Sequence, residues 1–195
     1  MKINQFHSGT AFGDAITNQM ILIKQILLEE GYESEIYAQH IDKNIKVKIL
    51  DIKKYECNEN DILIIHHSMG FDGYEDIISL KCKKILIYHN ITPEKYIQDE
   101  YIKKYVKIGL KQAEEYKNHI DYAIADSNYN RRDLINMGYS NKIDVMPVQI
   151  SIDRFDKIKS CKKLVEKYSY EGFKNILFVG RVSNNKCQDD IIRTF

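Results

Sequence analysis

Short apolar runs alternate along this chain with longer stretches in which apolar residues recur every three or four positions. Residues 3–7 form the first run and predict a strand. A polar loop over residues 8–14 carries Gly9 and Gly13, and then Ile16, Met20, Ile23 and Leu27 recur at helical spacing up to Gly31. Further strands are predicted at 35–38, 61–66, 84–88, 122–125 and 142–146. Helices are predicted over about 94–117 and over 128–137, the latter stopped by Gly138. The order strand, loop, helix, strand, repeated, predicts an α/β chain with a parallel sheet flanked by helices. The strand segments are continuous apolar runs, as strands buried on both faces require.

The pattern changes after Pro147. Residues 1–150 are expected to form one domain and the charged stretch 151–173 a linker region with a short helix. Residues 174–195 are expected to start a second domain, with a fresh buried strand over 175–179, a loop, and a helix from near Cys187. One strand and one helix cannot enclose a core, so the second domain is expected to be truncated at Phe195.

Composition narrows the chemistry. The 29 basic and 28 acidic residues leave a net charge of +1, which gives no bulk case for a nucleic-acid partner. The four cysteines make no CxxC pair, so a zinc knuckle or a dithiol redox site is not expected. No signal-peptide pattern opens the chain and no apolar run approaches the ~20 residues that span a bilayer. A cytoplasmic location with free thiols is therefore expected. Lys103, Lys104, Lys107 and Lys111 recur at helical spacing, and such a face either rests on anionic lipid at the inner membrane surface or is simply solvated.

In a doubly wound sheet, ligands bind beyond the carboxyl ends of the strands, which selects the loops at 8–14, 66–70, 89–93 and 126–130. Gly13 lies just ahead of a helix N-terminus, where backbone N–H groups approach an anion; the alternative is a tight turn capped by Asp14. The spacing is neither GxGxxG nor a P-loop, which disfavours a dehydrogenase. His66 and His67 are adjacent on a strand and point to opposite faces, so they do not share one metal. His89 ends a strand and is followed by Asn90, where an imidazole either meets a hydroxyl-rich ligand or only orders the loop. Asp126 and Ser127 stand where a cap for the next helix is needed, and Arg131 and Arg132 fall in its first turn. Arg181 and Lys186 flank a glycine-led loop, two cations suited to a diphosphate.

Phe178-Val179-Gly180-Arg181-x-x-x-x-Lys186 resembles the segment that opens the C-terminal domain of family-4 retaining glycosyltransferases of the GT-B fold. Upstream, Tyr88-His89-Asn90-Ile91-Thr92-Pro93, Ala125-Asp126-Ser127-x-Tyr129-Asn130, and Val145-Met146-Pro147 followed by Ile152-Asp153 are similar, as an ordered set, to signature loops of the N-terminal domain. The resemblance implies a Rossmann-like half of a GT-B fold on the acceptor side. It implies a nucleotide sugar as donor substrate, a glycan or lipid-linked acceptor, retention of configuration, and a role in cell-surface polysaccharide or glycoconjugate synthesis. It implies no cofactor and no metal, since cations and helix dipoles serve the diphosphate instead. By the motif match, His89 is the catalytic residue facing the transferred sugar, and Arg181, Lys186 and Gly13 hold the diphosphate. Asp14, His67, Asn90 and Ser127 are carried over as acceptor or sugar contacts. Cys187 stands where many relatives have glycine, and the family's paired glutamates would fall beyond Phe195. The 195-residue chain by itself is therefore expected to be inactive. Two alternatives stay open: an acceptor-binding module or subunit of a split glycosyltransferase, and a sugar-nucleotide epimerase of the same fold.

Overall fold

The computed structural model describes residues 1–140, 142–150, 157–180, 182–183 and 186–194. Contacts divide the chain into two compact units, Met1–Ile150 and Ser151–Phe195. The first unit is a seven-stranded, all-parallel sheet flanked by helices, a Rossmann-like α/β arrangement. Its strands are β1 (Ile3–Gly9), β2 (Ile36–His40), β3 (Leu50–Asp51), β4 (Ile62–His67), β5 (Lys83–Tyr88), β6 (Tyr122–Ala125) and β7 (Ile143–Val145). They lie in the order β3-β2-β1-β4-β5-β6-β7. The chain moves outward from β1 in one direction, then returns to β4 and moves outward in the other. The topological switch point, where the adjoining loops part to leave a crevice, lies between β1 and β4.

Register decides what each face carries. Phe6, Ile65, Leu86, Ala123 and Ile143 form one row across the sheet. They pack into the larger core beneath α2 (Tyr74–Ile78), α3 (Glu100–Tyr116) and α4 (Asn128–Asn136). On the opposite face Ile3, Ile64 and Ile87 form a smaller core against Ile23 and Leu27 of α1 (Ala15–Glu29). The helical spacing of Met20, Ile23 and Leu27 is thus the stripe that α1 turns to the sheet.

Helix starts are set by caps. Asp14 accepts from Thr17 N at 2.9 Å and starts α1; Ser127 accepts from Asn130 N at 3.2 Å and starts α4. Asp99 accepts from the backbone of Tyr101 and Ile102, so α3 begins at Glu100 rather than near Glu94, and residues 94–96 form a separate 3-10 turn. Along α3, Val106, Gly109, Ala113 and Tyr116 are buried. Gly109 admits the backbone of the loop after β4: a Cβ there would sit 2.9 Å from the carbonyl carbon of Met69, and one on Gly70 would sit 2.5 Å from Tyr105 O. Gln112 completes this junction by accepting from Phe71 N and donating to Phe71 O.

Three further features depart from the sequence expectation. β3 and α2 are additional short elements, too brief to declare a period. Residues 175–179 are not a strand: Leu177 is 85% and Val179 82% exposed, and no ladder partner is present among the described residues of the second unit. An apolar run becomes a strand only by pairing its backbone, and that unit offers the short helices α5 (Lys162–Tyr168) and α6 (Gln188–Thr194) instead.

Candidate functional site at the carboxyl ends of the strands

Along the α1 face, successive strands run from apolar to polar in the same direction. Ile3 leads to Gln5 and His7, Ile62 and Ile64 to His66, Ile85 and Ile87 to His89, and Ile124 to Asp126. Because the strands are parallel and in register, the polar members form a band across the carboxyl ends. Gln5 Nε2 donates to the Met20 carbonyl of α1 at 2.9 Å, and Gln5 Oε1 lies 3.0 Å from His66 Nε2. His66 Nδ1 lies 2.9 Å from His89 Nε2, and His89 Nδ1 lies 2.8 Å from Asp126 Oδ2. The two imidazoles are within 6° of parallel with centroids 5.2 Å apart, which together with the short N–N distance puts them edge to edge in one plane. Burial is nearly complete: the His89 side chain is 1% exposed and that of Asp126 14%. Among the described residues, Asp126 Oδ1 is buried without a hydrogen-bond partner, as are both amide atoms of Gln19 on the sheet side of α1.

A second pair sits at the switch point. Ser68 Oγ lies 3.0 Å from His7 Nε2, and His7 Nδ1 is held by the Gly9 carbonyl. Burial pushes the His7 pKa down to about 4, opposed by that backbone bond and assisted by the neighbouring His89. His66, fully enclosed, is pushed well below the usual histidine range by burial and then by His89 and His7. Both are neutral near pH 7.

The other expected residues divide. His67 points to the opposite face, 1% exposed, with Nε2 donating to Gly109 O at 2.9 Å and its ring edge-on to Tyr116. Burial lowers its pKa to about 4. His67 is thus turned away from the polar band, and His66 is the member of the pair on it. Asp14 and Ser127 are placed at carboxyl-end loops, but their oxygens are engaged as helix caps. Gly13 has φ +78, and a Cβ added there would meet nothing within 4 Å among the described residues, so the glycine is needed for its left-handed turn rather than for space. Asn90, exposed, holds φ 64 directly after His89, a conformation that asparagine tolerates better than most residues and that recurs at ligand sites. Lys186 is exposed in the second unit, and Arg181, Ile152 and Asp153 lie outside the described residues. Sequence reasoning missed Gln5 and His66 as members of the band and gave Asp126 only a capping role. The signal available was the alternation Ile3-x-Gln5-x-His7, polar residues at positions that face a buried surface.

A cavity of ≈ 650 Å³ opens at the carboxyl ends of β2 and β3, with Gln39, Asp51, Asp72 and Asp76 on its polar side and Ile52 and Ile77 on its apolar side. Of the lysines on α3, Lys103 pairs with Glu100, Lys107 with Glu94 and Lys111 with Glu115, so most of that cationic face is internally neutralised. Among the described residues no three His, Cys, Asp or Glu side chains converge as metal ligands, and no helix is long and apolar enough to cross a membrane. The cysteines Cys57 and Cys82 carry free thiols in the first unit. Comparison with protein-family models gives no match, and comparison with curated proteins gives none.

Proposed function

We propose that Met1–Ile150 is the acceptor-side, Rossmann-like half of a retaining GT-B glycosyltransferase. In this reading the chain works with a nucleotide-sugar donor and a glycan or lipid-linked acceptor in surface-glycan synthesis. The observation that carries the reading is the band of hydrogen-bonding side chains at the carboxyl ends of β1, β4, β5 and β6, in the loops where the motif resemblance expects ligand. A parallel sheet with the switch point between β1 and β4, lacking a dinucleotide fingerprint, supports a carbohydrate ligand over a nicotinamide one. The cavity beside β2 and β3 supports it too, because carboxylate and amide acceptors on one side and isoleucines on the other match the hydroxyl edges and C–H faces of a sugar.

The geometry constrains how His89 acts. Both ring nitrogens are engaged within the protein, so its ring meets a sugar hydroxyl only by exchanging one of these bonds, which a hydroxyl, being both donor and acceptor, permits. Asn90 is the more open neighbour in that loop. Arg181 and Lys186 are proposed, on the motif alone, to hold the diphosphate.

The test is NMR titration of the 195-residue chain with monosaccharides, short glycans, free nucleoside diphosphates and nucleotide sugars. Saturable amide shifts at residues 7–14, 39–40, 68–73 and 89–91 with saccharides, and no sugar transfer by this chain alone, are expected. Shifts confined to free nucleotides at those loops, or no shifts with any carbohydrate, overturn the reading. The metal-independence of the parent reaction is proposed likewise, and transfer that persists in chelator is its check.

A further inference from the structure

We infer that Gln5 and His66 are positioning residues that lock His89 as an Nε2–H donor, leaving a single shared proton between His89 Nδ1 and Asp126 Oδ2. The inference follows from donor and acceptor accounting along the buried chain and holds whatever ligand the crevice takes.

The chain starts at a fixed acceptor. The Met20 carbonyl has no proton to give, so the Gln5 group facing it at 2.9 Å is the amide NH2, and Gln5 Oε1 must face His66. An amide oxygen only accepts, so His66 carries its proton on Nε2, 3.0 Å away. His66 is neutral, because full burial disfavours its charged form, and a neutral imidazole has one proton. Its Nδ1 is therefore a bare acceptor. His89 Nε2, 2.9 Å from that lone pair, must donate. At the far end, His89 Nδ1 faces a carboxyl oxygen at 2.8 Å, and two lone pairs at that distance repel, so one proton lies between them.

Reversing any one bond sets two acceptors against each other somewhere in the chain. Flipping the Gln5 amide faces its oxygen to the Met20 carbonyl; moving the His66 proton to Nδ1 faces Nε2 to Gln5 Oε1. At these burials, the cost of an acceptor–acceptor clash is far above thermal energy. A buried Gln on β1 thus dictates, through His66 on β4, the proton inventory of His89 at the end of β5. Nε2 of His89 has no lone pair for a substrate proton. Any proton that this site gives or takes passes through Nδ1 and Asp126.

The experiment is two-bond 1H–15N correlation of the chain labelled at its six histidines, with assignments from single His→Gln variants. The wild type is expected to show His66 protonated at Nε2 and bare at Nδ1, and His89 protonated at Nε2. In Gln5→Leu the acceptor is gone, His66 is free to carry its proton on Nδ1, and His89 Nε2 is expected to switch completely to the bare position. Gln5→Glu, its buried carboxyl protonated on the oxygen that donates to the Met20 carbonyl, presents its carbonyl oxygen as the acceptor for His66 Nε2 and is expected to return the wild-type pattern. A bare His89 Nε2 in the wild type, or a Gln5→Leu spectrum unchanged in pattern, overturns the inference. Should Gln5→Leu fail to fold, the wild-type and Gln5→Glu spectra decide it, since a merely structural Gln5 predicts no fixed proton direction.

Discussion

Gly109→Ala tests whether α3 and the loop after β4 meet backbone to backbone. At an ordinary helix interior this change stabilises by about 1 kcal/mol through helix propensity. Here the new Cβ would sit 2.9 Å from Met69 C and closer still to Gly70 N, with Ile91 Cδ1 at 3.1 Å. Two of these atoms are backbone and cannot rotate away. Relief requires α3 to lift, which stretches the Gly70 N→Tyr105 O bond, now 3.0 Å, and the His67 Nε2→Gly109 O bond, now 2.9 Å. Overpacking of this kind costs about 1–3 kcal/mol, and weakening two buried hydrogen bonds adds about 1 kcal/mol each. After the propensity gain, the net loss is about 2–4 kcal/mol. For a unit of this size that corresponds to a Tm about 4–16 °C lower. Urea or thermal melts measure it, with Asn18→Ala on the exposed side of α1 as the control for propensity alone. A Tm equal to or above the wild type would refute the close approach. The lift would also move Ser68, so amide exchange near residues 68–70 is expected to quicken in the same variant.

Other outcomes follow from the same structure. His7 and His67 have native pKa values of about 4 against about 6.5 unfolded. The unfolded chain therefore takes up protons first, and stability present above pH 6.5 is expected to fall as pH drops through 6.5 toward 4, by up to about 3 kcal/mol per histidine. His67→Gln, which keeps a donor for Gly109 O but does not titrate, should flatten the slope of urea-derived stability against pH; an unchanged slope contradicts the assignment. Asp14→Ala removes the α1 cap and its bond to Thr17 N, with an expected loss of ~1 kcal/mol in the same melts. Asp72→Asn leaves Tyr105 an acceptor but removes charge from the cavity beside β2, so a saccharide that titrates there should bind at least severalfold more weakly while the fold is kept. With Lys103, Lys107 and Lys111 paired to glutamates, co-sedimentation with anionic vesicles at physiological salt is expected to be weak; strong, salt-sensitive pelleting would restore a membrane role for α3.

The linear pattern determined the architecture because burial on two faces writes itself into single strands. Runs such as Ile62-Leu63-Ile64-Ile65 and Ile85-Leu86-Ile87 announce parallel strands, and Met20, Ile23 and Leu27 announce the helix that covers them. Caps were legible for the same local reason: Asp14 and Ser127 bond to amides three residues away. What tertiary structure decided is pairing across distance. Whether His66 or His67 faced the polar band depended on which residue lay opposite His7, a matter of inter-strand register that no single strand records. Asp126 could be read as a cap until β6 settled beside β5 and put its carboxylate against His89. Gly109, unfavourable in a helix interior by propensity alone, is accounted for only by the loop after β4 that closes on it. Residues 175–179 show the converse, since an apolar run has the propensity for a strand but the strand itself is made by a partner. Local chemistry is carried by the sequence, and the proton path from Gln5 to Asp126 exists only because four strands align their ends.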